Sequence, residues 1–139
     1  MLLESGALVY ELVDLGFGSC KMVVASKNEA YRRKVKPVVA TKYPAIAQTY
    51  FREQGRPIET ITLHGSVELA PLIGLSDCIV DIVETGTTLR ENGLHVTEEI
   101  ADLSARLVVN RASFKTKFER LSCFIDQVQA AVDSREARL

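Results

Sequence analysis

The sequence has little of what metal, redox and nucleic-acid chemistry require. Its 139 residues hold two histidines, His64 and His95, and three cysteines, Cys20, Cys78 and Cys123. Two histidines exclude a His-rich metal site. The cysteines lie far apart without metal-ligand spacing, and an odd count reads as reduced thiols in the cytosol. Cys78, in an apolar run, and Cys123, in a helical pattern, read as small core residues rather than nucleophiles. Neither sign of charge is in excess, since 17 basic and 18 acidic side chains leave a net charge of −1. That balance gives no electrostatic basis for a nucleic-acid or anionic-membrane partner. No apolar run reaches the roughly 18 residues of a membrane span. The first residues lack a basic-then-apolar leader pattern, so a cytoplasmic location is expected. Repeats and low-complexity tracts are also missing.

What the sequence does have is apolar content and one concentrated motif. Hydrophobic residues make up 47%, which supports a packed core and argues against disorder. The length suits one ordinary domain or two small lobes. Cys78-Ile79-Val80-Asp81-Ile82-Val83 is apolar, mostly β-branched, and reads as a buried strand. Glu84-Thr85-Gly86-Thr87-Thr88 follows it. A Thr-Gly-Thr-Thr turn offers successive backbone N–H groups and three hydroxyls to one anion, most naturally a phosphate. Gly86 permits positive φ and close backbone approach. Asp81 can accept hydrogen bonds from sugar hydroxyls beside that phosphate, and a ribose 5-phosphate group needs both halves. The competing reading is a strand followed by an ordinary glycine turn, with Asp81 capping the loop.

The rest of the chain alternates strands and helices. Residues 1–6 read as the end of a helix with Gly6 as its cap. A strand is expected over 21–25, and the polar, basic residues 26–36 form a connection between lobes. Val38–Thr41 is a strand. Pro44 sits in the first turn of a helix with the apolar stripe Ile46, Tyr50 and Phe51, which Gly55 ends. Residues 58–63 form a strand, 66–75 a short helix with Pro71 near its start, and Cys78–Val83 a third strand. Such alternation implies a parallel sheet with right-handed crossovers. The loop after Val83 then leaves the carboxyl end of a strand, where ligands bind in open α/β sheets. Residues 94–100 read as short strand and turn, and Arg106–Asn110 as a strand. Phe114, Phe118, Leu121, Ile125, Val128 and Val132 mark a final core or interface helix, with Ser113 as N-cap.

Further motifs flank the loop in order. They are Tyr10-Glu11-Leu12-Val13-Asp14-Leu15-Gly16-Phe17-Gly18, Ala40-Thr41-Lys42-Tyr43-Pro44 and Leu63-His64-Gly65-Ser66-Val67-Glu68. Residues 68–77 lead into the strand, and Arg90-Glu91-Asn92-Gly93-Leu94 follows the turn. Together they resemble the catalytic subunit of ATP phosphoribosyltransferase, the enzyme that opens histidine biosynthesis. The resemblance runs from about Leu2 to the final helix. It implies an α/β fold of two lobes like the type II periplasmic binding proteins, with the active site in the cleft between them. On that map residues 37–103 are the complete second lobe with the phosphoribosyl pyrophosphate-binding loop. Residues 1–36 and 104–139 are part of the first. The family's early strands, with their basic N-terminal motif, have no counterpart, so the resemblance implies the enzyme without its beginning. It matches the short form, which depends on a separate regulatory subunit similar to histidyl-tRNA synthetase, and implies homo-oligomers as well.

The implied reaction joins ATP to phosphoribosyl pyrophosphate, with Mg²⁺ on the substrate phosphates. Thr85, Gly86, Thr87 and Thr88 would cradle the 5-phosphate, and Asp81 would hold the ribose hydroxyls. An electron-poor ribosyl transition state gains from nearby carboxylates, which makes Asp81 and Glu84 the catalytic candidates. Glu84 faces either the ribose or solvent. Lys42 reaches a substrate phosphate or is a plain surface lysine. Glu68 contacts ligand or simply stabilises a helix N-terminus. Arg90 supports the loop or pairs with Glu84 or Glu91, while His64 and His95 are structural or exposed. Two competing readings stand beside this one. A periplasmic-binding-like ligand module has no need of the 81–88 loop, and an inactive truncated remnant would explain the missing strands. The isolated chain is expected to lack full activity if its first lobe is incomplete.

Overall fold

The computed structural model describes residues 2–136, so Met1 of the expected helix end and residues 137–139 of the expected final segment lie outside the described residues. Helix α1 (Leu2–Ser5) precedes strands β1 (Val9–Asp14) and β2 (Cys20–Ser26). A 3-10 turn, Glu29–Arg33, leads to β3 (Val38–Thr41), α2 (Pro44–Glu53) and β4 (Glu59–Thr62). A second 3-10 turn, Val67–Leu69, comes before β5 (Cys78–Val83) and α3 (Thr87–Glu91). Then follow β6 (His95–Leu103), β7 (Arg106–Asn110), α4 (Arg111–Thr116) and α5 (Phe118–Glu136). Among the described residues no helix is long and apolar enough to cross a membrane.

The chain divides into two units. Residues 2–5 and Cys20–Asp102 form the first, and Gly6–Ser19 with residues 103–136 the second. The boundary expected near residue 36 therefore falls at Ser19/Cys20 instead. The reason is strand pairing, since β2 runs antiparallel along β5 and joins the unit that carries the Thr-Gly-Thr-Thr turn.

The first unit is built on a five-stranded sheet in the order β4-β3-β5-β2-β6. Strand β3 is parallel to both β4 and β5, as the alternation implies. The sheet as a whole is mixed rather than parallel, because β2 needs no helical crossover to lie antiparallel to β5. Side chains alternate across the sheet. Val23, Ala25, Ala40 and Ile79 meet Val67, Ala70, Leu89 and Leu94 in one buried cluster, with Leu63 and Val83 packed against it. Each Val, Leu or Ile side chain among them contributes about 1.5–3 kcal/mol on burial. Helix α2 starts at Pro44, buries Ala47 and Phe51, and ends before Gly55 at φ +67°.

Two local expectations are corrected in this unit. Residues 66–75 are not a helix beyond one 3-10 turn. Pro71 has no N–H to donate and Gly74 is left-handed, so consecutive turns replace it. Residues 95–100, expected as short strand and turn, belong to a nine-residue strand, β6, at the sheet edge. Cys78, by contrast, is a core residue as expected, and burial pushes its thiol up to about 12.

In the second unit β1 and β7 form a two-stranded antiparallel sheet with a register irregularity between Glu11 and Val13. The Tyr10 and Phe114 rings meet edge-on at 5.4 Å, and Phe114 meets Phe118 at 5.3 Å. The expected final helix is two helices. They part at Lys117, whose φ −126° and ψ 32° leave the helical region, and Thr116 Oγ1 donates back to the Ala112 carbonyl at 3.0 Å in the last turn of α4. The N-cap is Asn110 rather than Ser113, because Asn110 Oδ1 accepts from Ala112 N and Ser113 N. Cys123 is exposed on α5 and not a core residue.

Candidate active site

Three loops leave the carboxyl ends of parallel strands in the first unit. Thr41 of β3 pairs with Val80 of β5 and Thr62 of β4, so Lys42 leaves the sheet beside Asp81. The loop after β4 passes through Ser66, left-handed at φ 47°, and places Glu68 on the second 3-10 turn. A non-glycine residue in that conformation stores strain that the surrounding structure must hold.

The charges of Lys42 and Glu68 both act on the Asp81 carboxyl. Burial holds the Asp81 carboxyl above its ordinary value. A hydrogen bond from Ile82 N–H at 2.8 Å and the Lys42 charge oppose the rise, and Glu68 adds to it. Lys42 itself is exposed and forms no ion pair among the described residues. Tyr43, half-buried next to it, has its phenol pKa raised by burial, then by Asp81, Cys20 and Glu4.

Beyond Asp81 the strand ends in the Thr-Gly-Thr-Thr turn. Gly86 caps α3 with φ 72° and contributes no side-chain cap. Thr85 Oγ1 and Thr87 Oγ1 lie 3.1 Å apart, and Thr87 N–H points at Thr85 Oγ1 at 3.5 Å. Arg90 Nη2 donates to Thr87 Oγ1 at 3.2 Å, so its guanidinium lies along the turn. Arg90 forms no ion pair with Glu84 or Glu91 among the described residues, and Thr85, Thr87, Thr88 and Glu84 are all exposed. His64 and His95 are exposed too.

The first unit thus brings together Lys42, Glu68 and Asp81, with the 85–88 turn and Arg90 continuing from Asp81. Three neighbours escaped the sequence reading. Tyr43 adjoins Lys42 in the same turn and was within reach of sequence reasoning. Cys20 stands across from Glu84, one step past the Lys21–Val83 pair, and only strand pairing reveals it. Glu4 comes from the start of the chain and carries no sequence signal at all.

An α/β unit with converging loops at the carboxyl ends of its parallel strands defines the class, that of the type II periplasmic-binding fold. The arginine-binding protein of Thermotoga maritima shares that fold at TM-score 0.60, covering 96% of this chain and 59% of its own, at 12% identity. A narrower match comes from the family model for ATP phosphoribosyltransferase, HisG, which covers residues 1–130. The chain belongs to the ATP phosphoribosyltransferase family. It is 54% identical over 126 residues to the ATP phosphoribosyltransferase of Clostridioides difficile strain 630, covering 89% of this chain and 61% of that protein. The Geobacillus kaustophilus protein of the same name is 51% identical over 95% of this chain and 64% of its own length. The ATP phosphoribosyl transferase (HisG:HisZ) complex from Thermotoga maritima superposes at TM-score 0.87 and 37% identity, covering 96% of this chain and 66% of that one. The chain therefore spans a little under two thirds of the length of these relatives.

Proposed function

We propose that this chain is the phosphoribosyl pyrophosphate-binding part of an ATP phosphoribosyltransferase catalytic subunit, which joins ATP to phosphoribosyl pyrophosphate in the first step of histidine biosynthesis. The observation that carries the reading is the convergence of Lys42, Glu68 and Asp81 with the 85–88 turn at the ends of parallel strands. In the reaction, N1 of adenine forms a bond to ribose C1 as the bond from C1 to the pyrophosphate oxygen breaks. The 85–88 turn holds the 5-phosphate and Asp81 accepts from the ribose hydroxyls. Asp81 and Glu84 supply negative charge as the ribosyl carbon becomes electron-poor. Lys42 and Arg90 meet phosphate charge.

Among the described residues no three His, Cys, Asp or Glu side chains gather into a metal centre of the protein's own. The oxygen donors Asp81 and Glu68 suit Mg²⁺ in another way, as the one or two carboxylates that such an ion takes beside substrate phosphates. When bound, Mg²⁺ supplies charge neutralisation for the departing pyrophosphate. The HisG:HisZ complex of the Thermotoga maritima relative supports a hetero-oligomer with a HisZ-type partner, and the family resemblance makes that partner a regulatory subunit similar to histidyl-tRNA synthetase. Homo-oligomers and a cytoplasmic location complete the proposal.

Calorimetric titration of the chain with phosphoribosyl pyrophosphate and Mg²⁺ tests the reading. Gly86→Val places a β-branched residue at φ +72°, with its Cβ 3.4 Å from Arg90 Nη1 and 3.6 Å from Val83 Cγ1. It should weaken binding by more than about tenfold, the loss of one good loop contact. Unchanged affinity in a folded Gly86→Val variant removes the turn from the site.

A further inference from the structure

Glu4 belongs to α1, yet its carboxylate is committed to α2, about forty residues later. One oxygen accepts from Ala45 N–H and the other from Ile46 N–H, each at 3.0 Å. Helix α2 begins with Pro44, which has no N–H. Its N-cap, Tyr43, makes no side-chain capping bond. Ala47 N–H already reaches the Tyr43 carbonyl at 3.0 Å. Every backbone donor in the first turn of α2 is thereby accounted for, two of them by Glu4 alone. A helix N-terminus after a parallel strand is a natural position for an anionic ligand in an α/β sheet. Here the position is filled from within the chain. Glu4 also stands near the site, since its charge acts on Tyr43 together with that of Asp81.

We infer that Glu4 is a positioning residue, a built-in carboxylate that occupies the anion position of α2, holds Lys42 and Tyr43 in place and leaves substrate phosphates to Lys42 and the 85–88 turn. The effect on substrate rests on the functional reading above, but the occupancy of α2 does not. Acetate, the group the mutation removes, is the probe. In chloride, Glu4→Ala should unfold about 5 °C below the wild type. Exchange of chloride for acetate at equal ionic strength should restore most of that loss, while the wild type shows no acetate-specific gain. Glu4→Gln keeps one acceptor and should fall between the two. Affinity of Glu4→Ala for phosphoribosyl pyrophosphate should drop several-fold in chloride and recover in acetate. A purely structural role would not give that recovery. If Glu4→Ala does not fold, Glu4→Ser, which also vacates the carboxylate position, carries the acetate comparison. Absence of acetate-specific recovery, or wild-type stability in Glu4→Ala, overturns the inference. Failure of every variant and the wild type to bind phosphoribosyl pyrophosphate refutes the functional reading instead, and the unfolding data still judge Glu4.

Discussion

Asp81 carries two opposed demands. A ligand-binding carboxylate is charged, yet burial raises its pKa above the ordinary value of 3.8. The folded chain thus holds the proton more tightly than the unfolded one. Its contribution to stability is present below that ordinary value and is lost as pH rises through the folded pKa. At pH 7 the charge is a cost. Asp81→Asn keeps an oxygen for Ile82 N–H, 2.8 Å away, and removes that cost. The variant should melt at or above the wild-type temperature at pH 7, while affinity for phosphoribosyl pyrophosphate falls by about tenfold or more. Thermal melts beside calorimetry measure both. A variant that loses stability as steeply as affinity would make Asp81 the loop cap that the sequence left open. At this scale the sequence was informative, because Asp81, Lys42 and the 85–88 turn sit on contiguous strand–loop segments. It was silent on Glu4 and Cys20, which reach the site through docking and strand pairing.

Among the elements, β6, α2 and the Glu29–Arg33 turn are joined by one carboxylate. Glu98 accepts from Tyr31 Oη at 2.6 Å, from Tyr50 Oη at 2.9 Å and from Arg56 Nη1 at 3.0 Å on both oxygens. Arg32 adds a contact at 3.4 Å, and the Arg56 guanidinium lies 4.6 Å from the centre of the Phe51 ring. The Glu98 side chain is only 12% exposed. Burial opposes its ionisation, but the hydrogen bonds from Tyr31, Arg56 and Tyr50 outweigh it and lower the pKa below 4.5. A lowered carboxylate stabilises the fold above its unfolded pKa, and that stability is lost as pH falls from about 4.5 through the folded pKa. Glu98→Gln should cost about 2 kcal/mol at pH 7, the scale of hydrogen bonds to a charged group. It should also lessen the acid sensitivity, and urea titrations across that range measure both effects. An equal acid loss in the variant would assign the sensitivity elsewhere. The network is not legible in sequence, because its three hydrogen-bonding partners lie 42 to 67 residues from Glu98.

Over the whole molecule the two units differ in how much they bury. Val24, Ala25, Val39, Ala40, Ile79 and Val80 are fully buried in the first. Among the described residues of the second, Val13 alone is buried, while Phe118 and Phe124 are 55% and 53% exposed. Few buried apolar contacts mean low local stability. Hydrogen exchange should therefore show slow amides in β2, β3 and β5, and much faster exchange in β1, β7 and α5. Equal protection in the two units would contradict this difference.

The sequence by itself determined β2, β3, β4, β5 and α2 of the first unit, the turn after β5, and the family. Those features are local, written in apolar runs, proline and glycine positions and contiguous motifs. Tertiary structure alone decided that β2 joins the first unit and that Cys123 stays exposed. It alone set Glu4 on α2 and Glu98 among its partners. The physical reason is the same in each case. Pairing, burial and hydrogen-bond satisfaction join residues by distance in space, and nothing in their spacing along the chain records that distance.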